Sequence, residues 1–246
     1  MPELARHKKK RRYNLLESIF FILVALLALY ILIRSPLFEV QDIVIEGNHF
    51  LASEKIISVA GVNKGENIFK INLHEVSERL KIIPMLKSAE LSRKLPSFVI
   101  IKITERTPLA LLPSSAGFAQ VDSEGVYLQK GLPSDRNLPV ITGLKCVIPP
   151  PGKPVKGEGL GVALGVVDQL PAVLLPELSE INIGTQGDVC LYTLDGVQCR
   201  LGTASDIPKK GLVLSRVLSE LKAKGKKIAY IDLSYVGSPV VKYSDQ

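Results

Sequence analysis

The sequence predicts an α+β protein with a single N-terminal transmembrane helix, a small β-α-α-β-β domain, and a mixed, mostly antiparallel β domain with helices. Three observations carry this prediction. An uncharged apolar run follows a basic cluster near the N-terminus, two short amphipathic segments lie between strand-like runs in residues 37–107, and turn signals separate apolar runs in residues 108–246. Strands and helices that occur in separate runs are typical of α+β domains.

The first 34 residues predict a membrane anchor. No residue from Ile19 to Ile33 is charged or strongly polar. Counting Leu15 and Leu16, the stretch reaches 19 residues, interrupted by Glu17 and Ser18. A helix of about 20 apolar residues crosses the hydrocarbon layer of a bilayer. Short flanks rich in Lys and Arg stay in the cytoplasm. We therefore expect a transmembrane helix over residues 15–34 in contact with lipid, the bulk of the chain outside the cytoplasm, and a basic cytoplasmic tail over residues 1–14. The topology signal in this tail is Lys8, Lys9, Lys10, Arg11 and Arg12.

Three alternatives to this anchor have less support. A cleaved signal peptide needs a shorter apolar core and a small-x-small cleavage site, whereas Arg34, Ser35 and Pro36 follow the core here. The pair Arg11-Arg12 also occurs in twin-arginine signals, but here it lies inside a general basic run. A buried helix of a soluble domain would carry a polar face, and the run shows none.

The net charge of +7 is concentrated near the N-terminus. Residues 1–34 hold seven Lys or Arg against two Asp or Glu, while the rest of the chain holds 24 against 22. The basic excess is therefore a topology signal that can also attract anionic lipid. It does not predict nucleic-acid binding.

Residues 37–107 predict the small domain. A strand from Phe38 to Ile45 ends at a Gly-Asn turn, Ser53 caps a short helix that stops at Gly61, and Asn72 caps a second helix that is broken by Pro84. Two further strands, 87–95 and 98–105, flank a Pro-Ser turn, and the second is rich in β-branched residues.

Residues 108–246 predict the β domain. We expect a hairpin from 117–122 and 125–128, a short strand at 139–141, an exposed proline-rich loop at 149–154 and a helix at 162–170. A second hairpin follows over 189–193 and 197–201, and then a helix from Pro208 to Gly225. The chain ends with two strands, 228–233 and 240–243.

The residue pairing in the second hairpin determines whether Cys190 and Cys199 are close enough to form a disulfide. A two-residue Asp195-Gly196 turn would pair Tyr192 with Cys199 and Leu201 with Cys190. The two cysteines would then be diagonal neighbours on one face, which is usually too far apart for a disulfide. A disulfide can form outside the cytoplasm, but the geometry favours two small core residues.

No catalytic or metal-binding chemistry is predicted. The three histidines, His7, His49 and His74, form no metal-ligand or catalytic-triad pattern, and the chain has no HExxH, CxxC or GxSxG motif. The sequence thus predicts no enzyme activity and no cofactor.

Several motifs resemble those of a known family. Residues 38–48 (FEVQDIVIEGN), 84–96 (PMLKSAELSRKLP) and 101–110 (IKITERTPLA) resemble the opening, middle and end of a POTRA domain. Residues 121–126 (VDSEGV), 138–143 (LPVITG) and 231–235 (IDLSY) are similar to the β domain of the bacterial division family FtsQ/DivIB. The resemblance covers nearly the whole chain and implies a POTRA domain over 37–107 and a β domain over 108–246.

This resemblance implies a non-catalytic scaffold of the cell (inner) membrane at the division septum. Family members bind FtsB (DivIC)-like and FtsL-like division proteins and help to couple septal wall synthesis to division. The FtsB contact is similar to strand addition beside the last strands of the β domain. The residues that the resemblance implies for partner binding are Tyr235, Val236, Gly237, Ser238, Val240, Val241 and Lys242.

Two residues depart from the family pattern. Ser234 stands where the family usually has arginine, and Pro239 stands where an apolar residue with a backbone N–H is expected. Tyr235 can also be an ordinary strand aromatic.

Two other functions stay open. Another membrane-anchored POTRA protein, such as a secretion-system component, would lack the division-type β domain, and an exported wall enzyme would need catalytic residues.

Overall fold

The structure, a computed structural model, describes residues 15–115, 117–132, 138–223, 228–235 and 237–243, with the backbone alone for Leu15 and Leu16. The predicted cytoplasmic tail over 1–14, including its basic topology signal, lies outside the described residues. So do the predicted helix end at Gly225 and the predicted partner residue Val236.

The N-terminal helix α1 (Leu15–Ile33) presents apolar side chains on every side. The large apolar side chains from Ile19 to Ile33 are between 38% and 68% exposed. Among the helices that the described residues form, none is long and apolar enough to cross a membrane. The helix itself is confirmed, and its role as a transmembrane segment over residues 15–34 stays a prediction.

The described chain divides into two compact units. The first comprises the described residues up to Glu46 together with Ser53–Arg79 and Glu90–Lys102. The second comprises Gly47–Ala52, Leu80–Ala89 and the described residues from Ile103 onward.

The predicted β-α-α-β-β order is confirmed. The elements are β1 (Asp42–Glu46), α2 (Ser53–Ala60), α3 (Leu73–Leu80), β2 (Leu86–Lys94) and β3 (Phe98–Glu105). Among the described residues these three strands form one sheet in the order β1-β3-β2, and β1 runs parallel to β3 with Ile45 opposite Ile101. Buried side chains alternate along β3, as expected for a sheet with one covered face.

Two of the predicted helix ends, at Asn72 and Gly61, are confirmed, whereas Ser53 is the first residue of α2 itself. The Asn72 side-chain oxygen accepts a hydrogen bond from the Glu75 N–H at 3.4 Å, at the start of α3. Gly61 has φ +63°, and its N–H donates to the Ile57 carbonyl at 3.0 Å, which ends α2 in the left-handed conformation that glycine adopts easily.

The first strand begins later than predicted. The segment Pro36–Phe38 forms a 3-10 turn, and the Phe38 carbonyl then accepts a hydrogen bond from the Ile68 N–H at 2.8 Å. Pairing with β3 starts only at Asp42. The apolar residues before Asp42 therefore pair with a loop of the same unit, a contact that strand propensity does not reveal.

The β domain contains eleven strands and two α-helices among the described residues. They are β4 (Ala110–Ser114), β5 (Gly117–Val121), β6 (Tyr127–Gly131), β7 (Val140–Thr142), β8 (Cys146–Val147), β9 (Lys156–Gly157), α4 (Leu160–Gln169), β10 (Leu178–Ile183), β11 (Asp188–Thr193), β12 (Gln198–Thr203), α5 (Ile207–Ala223), β13 (Ile228–Asp232) and β14 (Val240–Tyr243).

Nine of the strands in the described residues form one sheet in the order β14-β13-β12-β11-β10-β7-β4-β5-β6. The pairs β7–β10, β4–β7 and β12–β13 are parallel, and the other pairs are antiparallel. The predicted mixed, mostly antiparallel β domain is thus confirmed. Its two edge strands are β14 and β6.

One apolar core holds α4 and α5 against this sheet. Leu164 of α4 and Leu214 of α5 are buried in the same cluster as Ile181, Leu191 and Ile231 of the strands. Asn182, Cys190 and Tyr230, which are each adjacent in sequence to one of these buried strand residues, are half-buried. The sheet thus has one face covered by helices, and the edge strands are held by this shared core.

The predicted register of the second hairpin is wrong. The structure pairs Leu191 with Cys199 and Cys190 with Arg200. The loop has three residues rather than two, because the Thr193 N–H donates to the Val197 carbonyl at 3.0 Å and Gly196 adopts φ +80°. A slip of one residue moves a side chain to the opposite face of the sheet.

The corrected register separates the two cysteines. Cys199 faces the core and is buried, whereas Cys190 is half-buried on the other face. Both of these cysteines and Cys146 are free. The expectation of a core residue therefore holds for Cys199 and is wrong for Cys190. Burial raises the pKa of the Cys199 thiol to about 12, so this thiol stays protonated and unreactive at neutral pH.

The sequence patterns do not predict four of the strands, β4, β8, β9 and β10, or the start of helix α4. Strand β4 contains Pro113, which weakens the strand signal, and β10 follows Pro176 and carries Ser179 and Glu180 among its apolar residues. Helix α4 begins at Leu160 rather than at Val162. The position of β10 depends on parallel pairing with β7, which lies about 40 residues away in sequence, and periodicity does not report such non-local contacts.

A network of ion pairs within the second unit holds the turn between β5 and β6. The Arg106 guanidinium donates to the carboxylates of Asp122 and Glu124, and Lys87 lies 2.8 Å from the Glu124 carboxylate. The Asp122 side chain is only 5% exposed, and its Oδ1 accepts hydrogen bonds from the N–H groups of Glu124 and Val126 at 3.0 and 2.8 Å. The network therefore neutralises a buried carboxylate.

The charged side chains around Glu124 favour its ionised form. Lys87 first and Arg106 second lower the pKa of Glu124 from 4.5 to about 2. A carboxyl with a lowered pKa stabilises the fold above its unfolded-state pKa and loses that effect as the pH falls through the folded-state value. The contribution of Glu124 is thus complete at neutral pH and is lost between pH 4.5 and about 2.

We expect Arg106→Met to lower the free energy of unfolding by about 3 kcal/mol, because Asp122 is left buried without a cation. Urea denaturation at pH 7 followed by circular dichroism measures this change. Adding Asp122→Asn to the same chain should restore most of the loss, since no charge is then buried. Equal stability of the wild type and Arg106→Met would contradict the assigned role.

Candidate partner-binding edge

Strand β14 leaves one side of the nine-stranded sheet open. It pairs with β13, with Val241 opposite Ile231 and Lys242 opposite Tyr230, and among the described residues no strand lies on its other side. The backbone N–H and C=O groups on the outer side of an edge strand are available to an added strand. The predicted edge at the last strand is therefore present in the fold.

Side chains alternate along β14. Val241 is half-buried and packs against the core, while Val240 is 56% exposed and Lys242 is exposed. Val241 thus packs β14 against the domain, while the side chains of Val240 and Lys242 are exposed to solvent. An added partner strand would meet an edge that the core already holds in place.

Tyr235 stands beside this edge and is 80% exposed. Leu233, two residues earlier, holds the backbone of this segment in place. Its side chain is fully buried, and its N–H donates to the Arg200 carbonyl at 2.7 Å. A turn follows, in which the Ser238 N–H donates to the Tyr235 carbonyl at 3.3 Å. An aromatic side chain on a well-held backbone is a common anchor in protein interfaces.

Asp232 clamps the start of this turn. Its Oδ1 accepts a hydrogen bond from the Ser234 N–H at 2.9 Å. Hydrogen bonds from the Ser234 backbone and hydroxyl, and then the charge of Arg200, lower the pKa of the Asp232 carboxyl. The carboxylate is therefore charged at neutral pH and keeps the backbone before Tyr235 in one conformation.

Arg200 also packs on an aromatic ring of β13. Its guanidinium lies 4.8 Å from the centroid of the Tyr230 ring, in a cation–π contact. Tyr230 is the register partner of Lys242. The solvent-facing side of the sheet thus carries ordered aromatic and basic side chains up to the open edge.

Pro239 lies just outside the ladder. It is exposed and directly precedes Val240, the first paired residue of β14. The missing N–H of this proline interrupts no hydrogen bond between β13 and β14 as the structure defines them.

The structure brings most of the predicted partner residues to one corner of the sheet. Tyr235, Gly237, Ser238, Val240 and Lys242 are exposed there, Val241 is half-buried, and Val236 lies outside the described residues. The supporting roles of Asp232 and Arg200 were not predicted. The Asp-x-Ser pattern at 232–234 is a signal for the turn that could have been found in the sequence, whereas the contact with Arg200 depends on the register of β12 and β13.

The opposite edge of the sheet is different. At β6, the Tyr127 N–H donates to the Lys153 carbonyl at 3.0 Å, and the Gly152 N–H donates to the Tyr127 carbonyl at 2.7 Å. A loop thus covers the beginning of this strand, and the exposed Lys130 follows on the uncovered part. Because this loop already pairs with the backbone of Tyr127, less of the β6 edge is open to an added strand, and β6 serves as an internal comparison for β14.

Acidic and metal-ligating groups do not gather at either edge. In the part of the chain that the structure describes, no three His, Cys, Asp or Glu side chains are placed to hold a metal ion. The groups exposed at β14 are backbone N–H and C=O groups, with the aromatic side chain of Tyr235 beside them.

We expect Asp232→Ala to loosen the turn that carries Tyr235, because the Ser234 N–H loses its acceptor. Amide hydrogen exchange at Ser234 should become faster by about tenfold, while exchange in β11 stays unchanged. Asp232→Asn retains an acceptor oxygen and should exchange nearly as slowly as the wild type. Unchanged protection in Asp232→Ala would show that the buried Leu233 alone holds the turn.

Comparisons with known proteins cover both halves of the chain. The family model described as "POTRA domain, FtsQ-type" matches residues 38–106, and the family model described as "Cell division protein FtsQ/DivIB, C-terminal" matches residues 110–234. Together the two matches span the β-α-α-β-β region and the β domain up to the turn before β14.

Two relatives match over most of this chain. The chain is 28% identical over 226 residues to cell division protein FtsQ of Syntrophotalea carbinolica, covering 90% of this chain and 79% of the relative. It is 28% identical over 230 residues to cell division protein DivIB of Clostridium tetani, covering 90% and 86%. A solved structure, the major extracytoplasmic domain of DivIB from Geobacillus stearothermophilus, is 20% identical with a TM-score of 0.33 and covers 49% of this chain and 94% of that one.

Proposed function

Because the chain belongs to the FtsQ/DivIB family of bacterial cell division proteins, we propose that it is a membrane-anchored, non-catalytic scaffold of the division septum. Its partners in this proposal are small division proteins similar to FtsB (DivIC) and FtsL, and its role is to help couple septal wall synthesis to division. The observation that carries the proposal is the open edge of β14 beside the exposed Tyr235. The alternative of a secretion-system component loses support, because the β domain also matches the division family.

The partner is proposed to add a strand to β14. Backbone hydrogen bonds along the open edge would supply much of the affinity, and side chains such as Tyr235, Val240 and Lys242 would supply selectivity. The edge requires no unfolding to accept a strand, since Val241 and the clamp at Asp232 already order it. The order of the edge lowers the entropic cost of binding.

The membrane anchor is proposed to be α1 with its flanking residues. Support comes from the uncharged run Ile19–Ile33 and from the exposure of its large apolar side chains, which water solvates poorly. The basic cluster before the run favours a cytoplasmic N-terminus, and a single arginine, Arg34, follows it. In this topology the chain from Pro36 onward lies outside the cytoplasm.

Protease protection tests the topology. Protease added outside spheroplasts should remove the chain from Pro36 onward, and protease added to inverted membrane vesicles should remove only the short tail. Protection of residues 36–246 in spheroplasts together with their cleavage in inverted vesicles would contradict this topology.

Copurification tests the partnership. The full chain is isolated from crosslinked membranes of dividing cells, and proteins that travel with it are identified by mass spectrometry. The proposal expects small membrane proteins with one span and a coiled coil, of the FtsB and FtsL type. Recovery of secretion components without these proteins would overturn it.

A further inference from the structure

The end of α1 is fastened to a loop of the first unit by one asparagine. The Asn67 side-chain amide donates to the Ile33 carbonyl at 2.7 Å, and its oxygen accepts from the Phe69 N–H at 3.0 Å. Since both hydrogen bonds share one amide group, the Phe69 nitrogen lies within about 8 Å of the last carbonyl of the helix.

A second set of contacts ties the same loop to the chain that leaves α1. The Ile68 N–H donates to the Phe38 carbonyl at 2.8 Å, and the Val40 N–H donates to the Glu66 carbonyl at 2.9 Å. The Phe38 and Phe69 rings lie 5.2 Å apart between centroids. The helix end and the 66–70 loop therefore have a defined geometry.

This junction exposes apolar side chains where a soluble surface would bury them. Leu37 is 53% exposed and Phe69 is 43% exposed, and Lys70 is exposed next to them. Arg34 lies with its guanidinium 4.6 Å from the Tyr30 ring centroid, in the first turn beyond the apolar run. Aromatic rings with adjacent Arg and Lys are the composition of membrane interfaces.

We infer that the surface formed by Leu37, Phe38, Phe69 and Lys70, here called the junction surface, lies in the headgroup layer of the bilayer. This inference rests on the proposed anchoring by α1. The headgroup layer is about 5–7 Å thick on each side of the hydrocarbon core. If the hydrocarbon ends near Ile33, the hydrogen bonds through Asn67 keep Phe69 within or directly beside this layer.

The occupant of the junction surface is the lipid bilayer, because the surface is continuous with the apolar helix. The Leu37 side chain and the Phe69 ring would contact acyl chains near the headgroups, while Arg34 and Lys70 would reach lipid phosphates. The part of the first unit that follows α1 would then contact the membrane in one orientation.

A single-tryptophan experiment tests this placement, because the natural chain contains no tryptophan. Phe69→Trp, Leu37→Trp, Phe21→Trp and Glu46→Trp are each made in the full chain and reconstituted into phosphatidylglycerol–phosphatidylethanolamine vesicles, with or without bromine on the upper acyl chain. Phe21 reports α1 itself. Glu46 is exposed at the C-terminal end of β1, about 13 Å along the strand from Asp42.

The expected result is that brominated lipid removes about half of the fluorescence at positions 21, 37 and 69 and almost none at position 46. Quenching at position 21 with positions 37 and 69 as bright as position 46 would overturn the junction surface and leave the anchor intact. No quenching at position 21 would overturn the anchor and this inference together. Equal quenching at all four positions would indicate unspecific adsorption of the unit and would also overturn the inference.

Discussion

Replacing Ile101 with aspartate should unfold the three-stranded sheet of the described residues. Ile101 is fully buried at the centre of β3, opposite Ile45 of β1. Removing the side chain alone costs about 2–5 kcal/mol, and a buried carboxylate without a partner adds a further penalty. A loss of this size approaches the whole stability of a typical domain, about 5–15 kcal/mol.

Circular dichroism and urea denaturation of residues 36–246 measure this effect. Thr104→Asp on the same strand is the matched control, because Thr104 is exposed and its replacement should change the stability by less than about 0.5 kcal/mol. Ile45→Asp should cost less than Ile101→Asp, since Ile45 is only half-buried. A cooperative, wild-type unfolding curve for Ile101→Asp would contradict the assigned core.

Loss of the last strand should abolish partner capture while most of the β domain stays folded. A chain that ends at Ser234 keeps the buried Leu233 and lacks both Tyr235 and β14. The remaining strands retain the core that α4 and α5 share. We expect binding to an FtsB-like partner to fall below detection, with a far-ultraviolet circular dichroism spectrum close to that of the wild type.

The point variant Tyr235→Ala tests the contribution of the Tyr235 side chain to partner binding separately from that of strand β14. It should weaken partner binding by about 30-fold, equivalent to about 2 kcal/mol, which is usual for an aromatic at the centre of an interface. Leu194→Ala is the matched control: Leu194 is 69% exposed, and it lies at the opposite end of the same strands. Isothermal titration calorimetry that finds equal affinities for Tyr235→Ala and Leu194→Ala would exclude Tyr235 as an anchor.

Local signals explain the features that the sequence predicted well. The caps at Asn72 and Gly61 and the apolar run in β3 each depend on a few neighbouring residues, and the structure confirms them. The final two strands were found in the same way, from apolar runs on either side of a turn. The edge position of β14 follows from the order of the whole sheet, which the sequence alone does not determine.

Non-local pairing explains the errors. The Asp195-Gly196 hairpin was placed one residue out of register, because its loop length depends on the hydrogen bond between Thr193 and Val197. Strand β10 was missed because its neighbour β7 is distant in sequence. The contact of Arg200 with Tyr230, which orders the surface next to the candidate edge, arises from the parallel pairing of β12 and β13 across a helix.

Photo-crosslinking along both edges of the sheet tests the central claim most directly. A benzophenone amino acid is placed at Val240, Lys242 or Tyr235 near the β14 edge and, as the control, at Lys130 on the β6 edge, in full-length chains in dividing cells. We expect crosslinks to a small single-span division protein from the three β14-edge positions and none from Lys130. Crosslinks to that partner from Lys130, with none from Val240, Lys242 or Tyr235, would contradict it.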